Sequence, residues 1–215
     1  MMDAGFSGGI YKICVWIMRF AWLNLLWIVF TLLGLVLFGF FPATASMFAV
    51  ERKWIRGQED LPIFQTFWKE YKASFIKANL LGLVLTAFGI LLIMNYRIAG
   101  AMNTFTGQVL SYLLLFISFI YGMILLYIFP VYSHYKVKVL DCIKFAFLVG
   151  FSSPLMTVMI VLSAVLYYLI SMAVPGVIPV LTGSCLSFTA MWFAHCAFKR
   201  IELKSGYTEA GKKNE

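Results

Sequence analysis

One stretch without formal charge constrains this chain more than any other feature. From Phe145 to Phe198 the sequence contains no Lys, Arg, Asp or Glu. Crossing the hydrocarbon core of a bilayer takes about 20 apolar residues, so this stretch is too long for one crossing and must fold back. The segment AVPGVIP from Ala173 supplies the turn, because proline removes a backbone donor and glycine admits positive φ. Two spans are therefore predicted, at 145–172 and 177–198.

The composition supports the same class of protein. Hydrophobic residues make up 62% of the 215 residues and charged residues only 12%, whereas roughly a quarter of the residues in soluble domains are charged. The mean hydropathy is +0.91. No linker or low-complexity tract divides the chain, so residues 1–215 are interpreted as one integral membrane domain. The predicted fold class is all-α, a polytopic transmembrane helical bundle whose first partner is the lipid bilayer.

Charged residues divide the remainder of the chain into further apolar runs. They predict spans at 22–41, 78–96 and 108–132, which brings the total to about five. Within the long charge-free stretch, GFSSP from Gly150 predicts a kink at Pro154.

The distribution of basic residues predicts the orientation, because cytoplasmic loops carry an excess of Lys and Arg. Of the 17 Lys and Arg residues, 14 fall on the side that holds 51–77, 134–144 and the C-terminal tail. The C-terminus is therefore predicted on the cytoplasmic side of a bacterial cytoplasmic membrane, with the N-terminus outside. An alternative stays open: if the first apolar run only dips in and returns, the N-terminus is cytoplasmic too. We interpret the net charge of +8 as a signal for orientation in the membrane and for attraction to anionic lipid head groups, and not for nucleic-acid binding.

The segment FPATASMFAVERKWIRGQED begins with apolar and small residues that suit a membrane and ends with charged and polar residues that suit water. Pro42 predicts a kink or break near residue 38, with the first span ending near Phe41. The small residues that follow allow another helix to approach closely. Beyond them, apolar residues at helical spacing predict an amphipathic interfacial helix at 43–56, with Glu51 on its water-facing flank.

A second amphipathic segment follows at 62–77. Its aromatic residues repeat every three or four positions, and lysines occupy the other flank. The two helices are predicted to form a collar on the cytoplasmic side, which serves either as simple anchoring or as a docking surface for another subunit. The candidate interaction residues are Pro42, Ala43, Thr44, Arg52, Lys53, Arg56, Phe67, Trp68, Tyr71 and Lys72.

The sequence from Asn24 to Asp60, together with FQTFWKEYKASFIKANLLG from Phe64, resembles the YesL-like bacterial integral membrane proteins. The likeness is carried by Asn24, Leu25, Trp27, Pro42, Ala43, Thr44, Ala45, Arg52, Lys53, Gly57, Phe67 and Trp68. Phe41 stands where that family usually has glycine, which argues against a tight turn there. The family is a domain of unknown function often encoded near carbohydrate uptake and degradation genes. The resemblance therefore implies a setting in sugar import and supplies no catalytic residues.

The sequence contains few side chains that could take part in catalysis. No Asp or Glu lies inside a predicted span, which argues against an intramembrane aspartyl protease or a carboxylate proton relay. His134, His195 and Cys196 are the remaining candidates, and packing explains each of them better than nucleophilic chemistry. The four cysteines are scattered without metal-ligand spacing. The sequence therefore predicts no enzyme activity, no cofactor and no metal site.

Three functional hypotheses follow. The leading one is a non-enzymatic accessory or assembly partner in bacterial carbohydrate uptake, working with subunits of a carbohydrate ABC transporter. The alternative is an autonomous transporter or channel for a neutral solute such as a sugar, acting alone or as a homo-oligomer. The third is a membrane enzyme that uses an added metal or a lipid substrate.

Overall fold

The computed structural model describes residues 4–102, 104–135, 138–173 and 183–205. Within these ranges the chain is all-α, as predicted, and shows no strand. The helices are α1 (Ala4–Leu33), α2 (Leu37–Ile55), α3 (Ile63–Ala101), α4 (Phe105–His134), α5 (Val139–Ser152), α6 (Pro154–Ala173) and α7 (Gly183–Ser205). The turn predicted at AVPGVIP lies outside the described residues beyond Ala173.

Four of these helices are long and apolar enough to cross a membrane. They are α3, α4, α6 and the part of α1 from Tyr11 to Leu33. This finding agrees broadly with the prediction of about five spans in a helical membrane protein. The predicted kink at Pro154 is confirmed as a break at Ser153, between α5 and α6.

The first apolar run forms a helical hairpin. The chain reverses after α1, where Leu35 and Val36 adopt positive φ values of 56° and 64°. The helix α2 then returns along α1, and the indole Nε1 of Trp27 donates a hydrogen bond of 3.0 Å to Thr44 Oγ1. The predicted single span at 22–41 is therefore wrong, because the chain reverses direction inside it, between Leu33 and Leu37.

Pro42 lies inside α2 without ending it. A proline deprives the carbonyl four residues earlier of its helical donor, which here is the carbonyl of Phe38. Asn79 of α3 replaces that donor, since its Nδ2 lies 3.0 Å from Phe38 O. The same amide also donates to Phe75 O at 2.9 Å. The proline is thus accommodated by the neighbouring helix.

This arrangement predicts the effect of removing the Asn79 amide. Asn79→Leu is expected to lower the free energy of unfolding by about 1 kcal/mol, because the Phe38 carbonyl loses its donor. Asn95→Leu is the matched control, since Asn95 Nδ2 donates only within α3, to Leu91 O at 2.8 Å. Thermal unfolding in detergent, followed by tryptophan fluorescence, would measure both. Equal destabilisation by the two substitutions would contradict the interhelical role.

The predicted collar is only partly present. Residues from Pro42 to Phe48 are all buried, and Glu51 is 0% exposed. The placement of 43–56 on the surface is therefore wrong, because other helices enclose α2. The segment 62–77 is the first part of α3 and continues into the apolar part without a break.

Residues of α1, the α2–α3 loop, α4 and α7 meet at one end of the bundle. Arg19 of α1 contacts Asp60 in the α2–α3 loop at 3.1 Å. Arg56, at the same loop, lies 3.4 Å from His134 at the end of α4. The ring of His134 in turn packs against Phe198, near the end of α7, with centroids 4.7 Å apart. We call this the charged end of the bundle.

The N-terminal helix was predicted to start on the opposite side from residues 51–77. The Arg19 contact shows that prediction to be wrong within the bundle and favours the alternative of an apolar run that turns back. At the opposite end of the bundle, Thr104 caps the start of α4, and its side chain accepts a hydrogen bond from the amide of Gly107 at 3.2 Å.

Candidate functional site

A cavity of about 430 Å³ lies between α2, α3 and the end of α4. Its walls combine small side chains, basic side chains and hydroxyl groups. The lining residues are Ala45, Ala49, Arg52, Lys53, Arg56, Gln58, Glu70, Ala73, Ser74, Lys77, Tyr132 and Ser133. We call it the basic cavity.

Alanines create the space. Ala45 and Ala49 are four residues apart and therefore lie on one face of α2. Ala73 of α3 lies on the opposite wall. Because each side chain ends at a methyl group, the two antiparallel helices leave a gap that larger side chains would fill. The small residues after Pro42 thus serve two purposes, since Thr44 contacts α1 while Ala45 lines the cavity.

The lining of the cavity is strongly basic. Among the described residues it includes Arg52, Lys53, Arg56 and Lys77, against one carboxylate, that of Glu70. Lys53 Nζ forms an ion pair of 3.1 Å with Glu70 Oε1, and both side chains remain about one-third exposed. The residues around this volume therefore carry more positive than negative charge.

Contacts with α4 hold the two arginines. The Arg52 guanidinium donates to the backbone carbonyl of Ser133, and Arg56 lies beside His134. Arg56, Gln58 and Lys77 are exposed, whereas Ser133 is buried. The cavity therefore has a solvent-accessible mouth and a wall built from fixed polar groups.

Glu51 is a second polar feature, and it faces α7 instead. Ser187 Oγ donates a hydrogen bond to Glu51 Oε1, while Oε2 has no hydrogen-bond partner among the described residues. Burial raises the pKa of the Glu51 carboxyl well above its ordinary value, and the Ser187 hydrogen bond offsets part of that rise. The buried position of Glu51 was not predicted, although Glu51 shares a helical stripe with Met47 and Trp54.

A shallow aromatic groove of about 450 Å³ lies between α1 and α3. Its residues are Phe30, Leu33, Gly34, Phe64, Trp68, Tyr71 and Phe75. Trp68 is 39% exposed, and Lys72 Nζ lies 4.8 Å from the centre of its ring. This distance is within the range of a cation–π interaction.

The ten candidate interaction residues fall into three groups. Pro42, Ala43 and Thr44 are buried in α2, and Phe67 and Tyr71 are buried in the core that α1, α2 and α3 share. Arg52, Lys53 and Arg56 line the basic cavity, and Trp68 and Lys72 lie at the aromatic groove.

His134 and His195 come together at the charged end, with ring centroids 6.2 Å apart. Their proximity was not predicted, because they lie on different helices, α4 and α7. Among the residues that the structure describes, no group of three His, Cys, Asp or Glu side chains is placed to hold a metal ion.

Comparison with known proteins identifies the family. The chain is 38% identical over 165 residues to the uncharacterized protein YesL of Bacillus subtilis (strain 168), which covers 77% of this chain and 78% of that protein. The chain belongs to the YesL-like family. The family model described as "Protein of unknown function, DUF624" matches residues 20–96. That range contains the α2 and α3 walls of the basic cavity, so the family's defining region builds most of this site.

The likeness extends over almost the full chain in two further relatives. The uncharacterized protein YteU of Bacillus subtilis (strain 168) is 36% identical over 207 residues, covering 96% of this chain and 92% of the relative. The uncharacterized protein YesV of the same organism is 39% identical over 204 residues, covering 94% and 97%. The family relationship thus includes α4 to α7. No solved structure matches the chain.

Proposed function

We propose that this YesL-like chain is a non-enzymatic protein of the bacterial cytoplasmic membrane that acts as an accessory or assembly partner in carbohydrate uptake. Its partners are the membrane subunits of a carbohydrate ABC transporter. The carbohydrate setting rests on what the family resemblance implies. The structural observation that supports partner binding is the aromatic groove with its adjacent lysine, on the outer face of α1 and α3.

The distribution of charge supports an orientation for this assembly. Arg97 is the one described basic residue in the part of the bundle near the α3–α4 turn, while the others lie towards the charged end or in the first half of α3. By the positive-inside rule, the charged end then faces the cytoplasm. The N-terminal helix would start on that side and the C-terminus would lie there.

The groove suits a partner helix because its aromatic side chains are preformed. Phe64 is 50% exposed and Phe75 is 37% exposed, and the ring of Trp68 is held against Tyr71 with centroids 6.1 Å apart. Rigid aromatic anchors contribute most of the energy in many interfaces. Lipid anchoring also uses such rings, so the experiment must separate the two roles.

A pull-down from native membranes in lipid nanodiscs, with cells grown on plant polysaccharide, tests the proposal by quantitative mass spectrometry. ABC permease subunits are expected to co-purify stoichiometrically with the wild type. The double variant Phe64→Ala and Trp68→Ala should retain about one-tenth of that amount, since interface anchors contribute 2 kcal/mol or more. Phe119→Ala, which alters an exposed ring on α4, is the control and should retain the wild-type amount.

Recovery of the chain alone or only with copies of itself would contradict the accessory role. The alternative, autonomous transport of a neutral solute such as a sugar, would then become the better hypothesis. Uptake of labelled sugar into proteoliposomes that contain only this protein would measure that activity directly.

A further inference from the structure

We infer that the basic cavity binds a phosphate-type anion, supplied either by the head group of an anionic phospholipid or by a soluble phosphorylated molecule. This inference does not depend on the accessory role. The basic cavity lies on the opposite side of α3 from the aromatic groove, where the proposed partner would bind.

Basic side chains from two helices line the cavity. Arg52 and Arg56 are four residues apart on α2, so their like charges lie on one helical face and repel each other. Lys77 adds a third basic group from α3. The carboxylate of Glu70 is paired with Lys53. The described lining residues therefore carry a net positive charge, which favours an anionic ligand over a cationic one.

The hydrogen-bond donors of the lining are of the types that bind phosphate. A guanidinium presents five N–H donors in a planar fork that matches phosphate oxygens. The contact of Arg52 with the Ser133 carbonyl fixes the direction of one such fork. Lys77 supplies a mobile ammonium group, and the Tyr132 hydroxyl and Gln58 amide supply neutral donors from the same lining. These are the group types that bind phosphate strongly.

The size of the cavity and its access to solvent also suit such a ligand. The volume of about 430 Å³ falls within the range of about 300–1,000 Å³ for small-molecule sites. It exceeds the needs of inorganic phosphate and accommodates a phosphate with an attached organic group of glycerol size. The exposed side chains of Arg56, Gln58 and Lys77 leave a mouth through which such a group can enter.

The test uses the full chain, purified in a neutral detergent and stripped of lipid. The probes are short-chain phosphatidylglycerol, short-chain phosphatidylcholine, glycerol phosphate, inorganic phosphate and chloride, compared at equal ionic strength. Native mass spectrometry counts bound probe, and thermal unfolding gives the dissociation constant. Saturable binding of phosphatidylglycerol alone assigns the site to a lipid head group, whereas saturable binding of glycerol phosphate assigns it to a soluble ligand.

Paired variants show whether the cavity is responsible. Arg56→Gln with Lys77→Gln is expected to weaken binding about tenfold or more, because two charge-assisted contacts are lost. Lys69→Gln with Lys144→Gln removes the same charge from exposed positions outside the lining and should change binding less than about twofold. Ala49→Leu keeps every charge but fills the gap, and should also weaken binding.

Two outcomes would overturn the inference. One is that no phosphate-bearing probe binds more tightly than chloride. The other is that the surface control loses as much affinity as the cavity variant, since binding would then follow net charge instead of the cavity.

Discussion

Gly39→Ala is expected to disrupt the α1–α2 hairpin and to lower the free energy of unfolding by about 3 kcal/mol, the upper part of the usual range for overpacking. A methyl group on Gly39 would approach the carbonyl oxygen of Phe30 to 2.7 Å and would lie closer still to that of Thr31. Both are backbone atoms of α1, so no side chain can rotate away. The two helices would have to separate, which would weaken the Trp27–Thr44 contact.

Gly122→Ala is the matched control, because a methyl group there meets no atom within 4 Å. In the interior of α4 it should be neutral or stabilise by about 0.5–1 kcal/mol, since alanine favours helix more than glycine. Denaturant unfolding in mixed micelles would compare the two variants with wild type. Similar stability for both would show that the hairpin helices are not in such close contact.

The second large effect is expected at the Glu51–Ser187 hydrogen bond. Ser187→Ala should lower the free energy of unfolding by about 1–3 kcal/mol, because it removes a hydrogen bond from a buried polar group. Glu51→Gln keeps the shape and the ability to accept from Ser187, while it removes the ionisable group. Ser187→Ala should therefore be the more damaging substitution above neutral pH.

The pH dependence provides a separate test of Glu51. Burial raises the pKa of its carboxyl in the folded state, so the folded protein holds this proton more tightly than the unfolded chain does. The stability contribution is complete below the unfolded carboxyl pKa of about 4.3 and is lost as pH rises through the raised folded pKa. Glu51→Gln should flatten this fall, and its stability should exceed that of wild type at the alkaline end.

Glu70→Gln is the control for the titration. Glu70 is about one-third exposed and paired with Lys53, so its substitution should leave the alkaline fall in stability in place. Unfolding curves between pH 4 and pH 9 would distinguish the variants. An unchanged pH dependence in Glu51→Gln would contradict the buried position of this carboxyl.

Two proline-containing segments each predicted a break in a helix, and only one of the two predictions is confirmed. The GFSSP segment predicted the break before Pro154, and the structure shows it between α5 and α6. Pro42 predicted a break in the same way and did not cause one. Asn79, distant in sequence, supplies the donor for Phe38 O. A rule based on the local chain cannot include a hydrogen bond from another helix.

The candidate site shows the same division. The pattern at 62–77 predicted an aromatic face that includes Phe67, Trp68 and Tyr71, with Lys72 on the other flank, because period and composition report which face is apolar. Phe67 and Tyr71 belong to that apolar face and are buried in the core. The basic cavity itself was not predicted, since it needs Ala45 and Ala49 of α2 opposite Ala73 of α3, and no pattern along the chain states that these residues face each other.

The sequence by itself determined that the protein is an all-helical membrane protein of the YesL-like family, because apolar length, charge spacing and motif residues are properties of the linear chain. Only the tertiary structure decided that the first apolar run turns back at Gly34, that Glu51 is buried against Ser187, and that Arg52, Arg56 and Lys77 surround one cavity. Each of these depends on how closely helices approach. That distance is set by small side chains such as Gly39, acting against backbone atoms from another part of the chain.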